Sequence, residues 1–219
     1  MYPVRMESPG THTDTRRGWF EGWALLGVFT TVLLVMTICV LGFNGTGELG
    51  VRALIRATAR SSLLLFCAAF ATTALFYFWP SAASRWMRRN RRSVGLGFAV
   101  SHSIHYAAVY AVSRIDPEQF FVEEGRALTD FVTLYTVFML VAMVALSFDT
   151  TQGWVGRRVW QGVHWFMSLG FWLSFASSYG GRALYELYYV PFAGLLLLTM
   201  GLRTAAFVAK RRSAAALGV

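Results

Sequence analysis

The sequence predicts an all-α polytopic membrane protein: six transmembrane helices in a bundle, both termini cytoplasmic. Three observations lead there. Of 219 residues, 56% are hydrophobic and 14% charged, with a mean hydropathy of +0.48, which overrides the soluble one- or two-domain expectation for this length. The charges are also bunched. No Asp, Glu, Lys or Arg falls between Glu21 and Glu48, and further charge-free runs cover 61–84, 93–113, 131–148, 159–181 and 187–202. Crossing ~30 Å of hydrocarbon takes ~20 helical residues, and lipid leaves each backbone amide to be satisfied within its own segment, so the runs read as helices.

The first span is 19–43 and ends in the glycine-rich turn "GFNGTGELG". The second is 54–80. Arg52, Arg56 and Arg60 form a stripe at i, i+4 and i+8 about its outer end, where they either snorkel to the interface or reach inward to an anionic group. Pro80 closes it, and "RWMRRNRR" is the most basic loop of the chain. The third span is 94–113, followed by the acidic loop "RIDPEQFFVEEGRALTD", whose two aromatics suit an interface. The fourth is 130–148. A short loop, "DTTQGWVGRR", leads to the fifth, 160–179, and the sixth, 185–209, begins with the aromatic belt "YELYYVPF". The domain is therefore 19–209, between a polar cytoplasmic tail (1–18) and a basic, mobile one (210–219). The first 18 residues are polar and the apolar run after them is too long for a signal peptide, so no cleaved leader is expected. Cys39 and Cys67 read as two small buried hydrophobes.

The net charge of +9 is topological. With both termini on one side, that face holds thirteen of the twenty basic residues against four acids; the other holds seven acids and six arginines. The positive-inside rule makes the basic face cytoplasmic, and a nucleic-acid footprint is the weaker reading.

No Asp, Glu or Lys lies in the middle of a span, which counts against an ion-coupled transporter. Histidine supplies the titratable groups at depth: His102 and His105 in "SHSIHYAAVYAV", and His164. His12 is a solvated residue of the tail. His102 and His105, three apart, share a face that Tyr106 and Tyr110 extend. Three readings stand side by side: histidines hydrogen-bonded for helix packing, an intramembrane zinc site, or axial ligation of haem. Zinc wants three or four ligands, and the spans offer three histidines without a fourth donor. A six-coordinate haem needs imidazoles on opposite faces, so one helix cannot supply both, and the partner available on a facing helix is His164.

Three local patterns, in order over roughly 52–208, resemble the ferric reductase-like transmembrane domain superfamily. That superfamily includes the haem subunit of bacterial methionine sulfoxide reductase and the membrane half of NADPH oxidases. "RATARSSLLLF" is similar to its Thr-Gly-Arg helix entry, with Ala59 in place of the glycine. "RRNRRSVGLGFAVSHSIHYAAVY" is similar to its Arg-Arg, Leu-Gly-Leu, histidine pattern and puts His105 at the ligand position. "SFDTTQGWVGRRVWQGVHW" is similar to its Gly-Arg-Arg, Trp, histidine pattern and carries the ligand role to His164. Where many members have a second histidine thirteen residues on, this chain has Ser177, so one haem b is the most the resemblance implies. His164 lies six residues past Arg158; His102 and His105 lie ten and thirteen past Arg92. At ~1.5 Å per residue the depth offsets are about 6 Å and 10 Å. His102 is the better match in depth and His105 the better match to the family, so both are retained.

The resemblance implies a haem b-binding electron-transfer component of the cell membrane, in a prokaryote the inner membrane. Its propionates would want cationic partners: Arg91, Arg92 and Arg158 at an inner edge, Arg60 at an outer one, against the plainer role of arginines in head-group contact. There is no flavin or nicotinamide site, because "GLG" at 95–97 enters a membrane helix without the strand-turn-helix context of a dinucleotide fold. Electrons would come from quinol or a separate flavoprotein reductase and leave to a periplasmic acceptor protein or ferric iron. The competing class is a non-redox membrane scaffold or small-molecule transporter whose histidines only pack.

Overall fold

The computed structural model describes residues 20–118 and 126–216, and these are all-helical, with no strand among them. The long helices are α1 (Gly22–Asn44), α2 (Glu48–Phe78), α4 (Arg91–Ile115), α5 (Arg126–Ala145), α7 (Arg157–Ala183) and α8 (Val190–Ala216); α3 (Ala82–Arg89) and α6 (Asp149–Val155) are short. A 3₁₀ turn, Leu187–Tyr189, leads into α8. The tail 1–18 with His12, and the two aromatics of the acidic loop, lie outside the described residues.

Several expected boundaries shift. The second helix starts at Glu48 instead of 54, because Glu48 sits in its first turn and pairs with Arg52 at 2.7 Å. The most basic loop is helix except at Asn90, with 85–89 in α3 and 91–92 in α4. The start of α3 is held by a capping box, in which the Ser81 hydroxyl accepts from the Ser84 amide and the Ser84 hydroxyl from the Ser81 amide. The fourth helix ends at Ala145, and the expected loop "DTTQGWVGRR" begins as α6, bent by 100° from α5. Gly156, at φ +79°, makes the turn from α6 into α7. The basic tail continues α8 to Ala216, so most of it is helix. Cys67 is buried as expected, but Cys39 is exposed on α1.

Three helical segments, Gly22–Asn44, Glu48–Phe78 and Leu187–Ala216, are long and apolar enough to cross a membrane. The bent pair of Leu134–Ala145 with Asp149–Val155 raises the number to four. α4 and α7, the two helices that carry the histidines, have the length but a more polar composition. The exposed positions of α1 are themselves apolar, among them Val32, Leu34, Val35 and Ile38, as expected of a surface facing lipid.

α2 is the central helix, packed most extensively on α4 and also against α8, α1 and α3; α4 packs further on α1 and α5. Small polar side chains allow the close α2–α4 crossing. Thr58, Ser62 and Ser101 are fully buried, and the Ser101 hydroxyl lies 2.7 Å from that of Ser61 and 2.9 Å from that of Ser62. Helix pairs in lipid use such short side chains both to approach and to hydrogen-bond. Beside this crossing is the main apolar cluster, built from Leu63, Phe66 and Phe70 of α2, Phe98 of α4, and Phe171 and Phe175 of α7. Indole donors link the segments: Trp86 Nε1 to the Phe20 carbonyl (3.0 Å) and Trp160 Nε1 to that of Leu146 (2.7 Å) near helix ends, and Trp172 Nε1 to that of Leu196 (3.0 Å) between the bodies of α7 and α8.

Candidate functional site

The three histidines occupy two settings. His102 and His105 stack nearly parallel on α4, ring centroids 5.3 Å apart at 15°. His102 is enclosed by rings. Phe98 stacks on it at 5.2 Å, while Tyr106, Phe171 and Phe175 meet it at steep angles between 4.6 and 5.6 Å. Its Nδ1 is buried without a hydrogen-bond partner.

His105 is held differently. Its Nδ1 lies 3.2 Å from Thr58 Oγ1 and 3.3 Å from the Ile55 carbonyl oxygen. The Thr58 hydroxyl donates to the Leu54 carbonyl at 2.7 Å, so towards His105 it acts as acceptor. Both neighbours of Nδ1 therefore accept, which assigns the proton to Nδ1 and leaves the lone pair on Nε2. A ring nitrogen fixed on a backbone carbonyl with the other one bare is the usual support of a ligating histidine.

His164, on α7, stacks on Trp160 at 4.9 Å and has its Nδ1 buried without a partner. It lines a cavity of about 290 Å³ at the basic end of the bundle, near the lower limit for small-molecule sites. Arg88, Arg89, Arg91 and Arg92 line the same cavity over an apolar floor that includes Phe66, Phe70 and Phe98. Arg92 bonds Asp149 at 2.9 Å, Arg89 contacts Glu21 at 3.3 Å, and Arg88 lies 4.5 Å over the Phe76 ring. Arg91 makes no ion pair or hydrogen bond among the described residues.

The expected site residues are thus only partly brought together. His164, Arg91 and Arg92 share the cavity; His102 and His105 do not line it. Phe98 stands between, lining the cavity and stacking on His102. Arg158 is exposed and off the cavity, because α7 faces it with Trp160, His164 and Ser168, and a position two residues before Trp160 is about 200° round the helix. Arg60 lies 5.1 Å over the Tyr188 ring, paired with an aromatic face where an outer carboxylate was expected. Arg203 of α8, given no role from sequence, sits 4.2 Å over the Phe70 ring and bears electrostatically, with Arg91, on His164. A lone arginine in an apolar run was its visible signal. The Thr58–Ser62 spacing of four was the signal for the hydroxyl cluster.

The donor chemistry fits haem: imidazoles on two facing helices, one with Nε2 bare and one with an unpaired nitrogen, and cations beside the second. Phe98 and Phe171 pack on His102 and on each other, and Phe98 also lines the His164 cavity. Among the described residues no group of three His, Cys, Asp or Glu stands together, the kind of cluster zinc would need.

Comparison with protein-family models, with curated proteins and with solved structures gives no match.

Proposed function

We propose that the chain is a six-span protein of the cell membrane, both termini cytoplasmic, that holds one haem b between α4 and α7 and passes electrons across the bilayer. α4 and α7, of 25 and 27 residues, are about 37 Å and 40 Å long, enough for a span. A helix covered by neighbours tolerates polar residues that a lipid-facing one does not, which supports counting α4; α7 is supported by its exposed apolar side chains Val159, Trp165, Phe166 and Leu173. The observation that carries the haem reading is His105: its Nδ1 is held by the Ile55 carbonyl and Thr58, so Nε2 is free to ligate. His164 is the partner imidazole and His102 the alternative on α4. Arg91 and Arg203, the cations acting on His164, are the candidates for the carboxylates, with Arg92 already paired to Asp149.

When bound, haem would supply one-electron transfer; the chain's part is to hold the iron, keep water out and set its surroundings. The phenyl cluster around His102 supplies the dry wall. Quinol or a separate flavoprotein reductase would be the donor, and a periplasmic protein or ferric iron the acceptor.

The second reading, a non-redox scaffold or small-molecule transporter, is favoured by the four rings packed on His102, which leave that imidazole no open face. A reduced-minus-oxidised spectrum of the detergent-purified protein decides between the two, repeated for H102A, H105A and H164A. The expected result is a b-type band lost in H164A and H105A and kept in H102A. A colourless protein after expression with ample haem overturns the redox reading.

A further inference from the structure

The cavity beside His164 carries more positive charge than its surroundings balance. Four guanidinium groups line it and no carboxylate does. Glu21 and Asp149, which pair with Arg89 and Arg92, sit outside the lining, and Arg91 has no carboxylate partner among the described residues. Two polar atoms there, Arg92 Nε and His164 Nδ1, are buried with no hydrogen-bond partner. Arg88 and Arg89 are exposed and Arg91 and Arg92 half-buried; donors withdrawn from water, such as Arg92 Nε and His164 Nδ1, are costly unless an anion or hydrogen-bonding group meets them. The floor is the opposite in character: Phe66, Phe70, Leu96, Phe98, Leu140 and Met143 are apolar. The cavity lies where α2, α4, α5 and α7 come together, beside the basic α3.

A ligand that matches both halves has an anionic head and an apolar body. We infer that this cavity binds the phosphate of an amphipathic anion, with the arginines on its oxygens and its apolar part along the phenyl floor. Guanidinium groups suit phosphate because their planar donors meet two oxygens at once, and basic pockets between helices at a membrane face bind acidic lipid head groups. The two sources are an acidic phospholipid and a soluble phosphate, and the floor favours the lipid. The inference does not depend on haem: it gives Arg91 to the phosphate and leaves Arg203 as the cation for haem carboxylates.

The test is native mass spectrometry of the full chain in detergent, titrated with phosphatidylglycerol, with phosphatidylcholine and with inorganic phosphate. Phosphatidylglycerol is expected to form a one-to-one adduct at concentrations where phosphatidylcholine does not. Arg91→Gln is expected to weaken it roughly tenfold, the scale of one charge-assisted hydrogen bond, with a smaller loss for Arg91→Lys and none for the exposed Arg157→Gln. Should Arg91→Gln fail to fold, Arg89→Gln gives the same reading. Displacement of the lipid by inorganic phosphate supports a soluble source; retention supports the lipid. Equal adducts with both lipids, or an Arg91→Gln protein that binds as tightly as the parent, overturn the inference. A haem band that weakens in Arg91→Gln with no phosphatidylglycerol adduct also overturns it and leaves the haem reading standing, with Arg91 serving carboxylates.

Discussion

The His102/His105 region and the His164 cavity both hold imidazoles withdrawn from solvent, His102 buried and His105 and His164 half-buried, yet one is filled and the other open. On the α2–α4 side rings close in on His102, and hydroxyl and carbonyl oxygens take His105 Nδ1, which leaves Nε2 of His105 as the open position there. On the α7 side the residues facing His164 across the cavity include Gly95 and Ala99, and a Cβ on Gly95 would meet nothing within 4 Å. Small side chains opposite an imidazole leave a void; large ones close it. In the filled setting neighbours assign the imidazole's roles, fixing Nδ1 of His105 and leaving its Nε2; at the void, His164 keeps an unpaired nitrogen beside unpaired charge.

Three substitutions probe that contrast, beginning with the largest effect. Phe171, 1% exposed, packs on His102, Phe98 and Phe66 together. Phe171→Ala is expected to cost about 3–5 kcal/mol by leaving a hole in a close-packed cluster, measured by unfolding in mixed micelles. A loss under about 1 kcal/mol would mean that the filled region is loosely packed, and the contrast with the cavity would disappear.

Ser101→Ala comes next. It removes the hydroxyl shared by Ser61 and Ser62. Interhelical polar contacts in bilayers average about 0.6 kcal/mol and reach about 1.7, so a loss within that range is expected in the same assay. A neutral result would leave shape, and not hydrogen bonding, holding the α2–α4 crossing.

The smallest effect is at the open end. Asp149 is exposed where it meets Arg92, and such pairs contribute about 0–1 kcal/mol and are screened by salt. Asp149→Asn is expected to leave the melting temperature within a degree or two, while strengthening the phosphatidylglycerol adduct by freeing Arg92. A large drop in stability would make this ion pair part of the framework.

Much of the fold was legible because hydropathy and charge spacing act locally. The bunching of charges located the long helices to within a few residues, except where a local cap (Ser81 with Ser84) or an early acidic residue (Glu48) extended helix into an expected loop, and at the last helix, which runs Val190–Ala216 against an expected 185–209. α4 and α7 also show the limit of composition: judged by hydropathy they fall outside the segments apolar enough to cross a membrane, although α4 has ten buried residues against five on α7. At the site, residue type picked out His102, His105 and His164 as the unusual groups, since an imidazole among Ala, Val and Ile needs a partner.

What those imidazoles face was decided by tertiary structure. The identity of α4 as a helix with two histidines on one face, the arginine excess at one end and the lone Arg203 are all properties of the sequence, set by periods of 3.6 residues and by the cost of charge in lipid. That His105 leans on Ile55 and Thr58, that Phe98 separates His102 from the cavity, and that Arg203 reaches Phe70 while Arg158 turns away depend on rotation and crossing of whole helices. Those angles are set by how small and large side chains interdigitate between segments tens of residues apart, which no local spacing encodes.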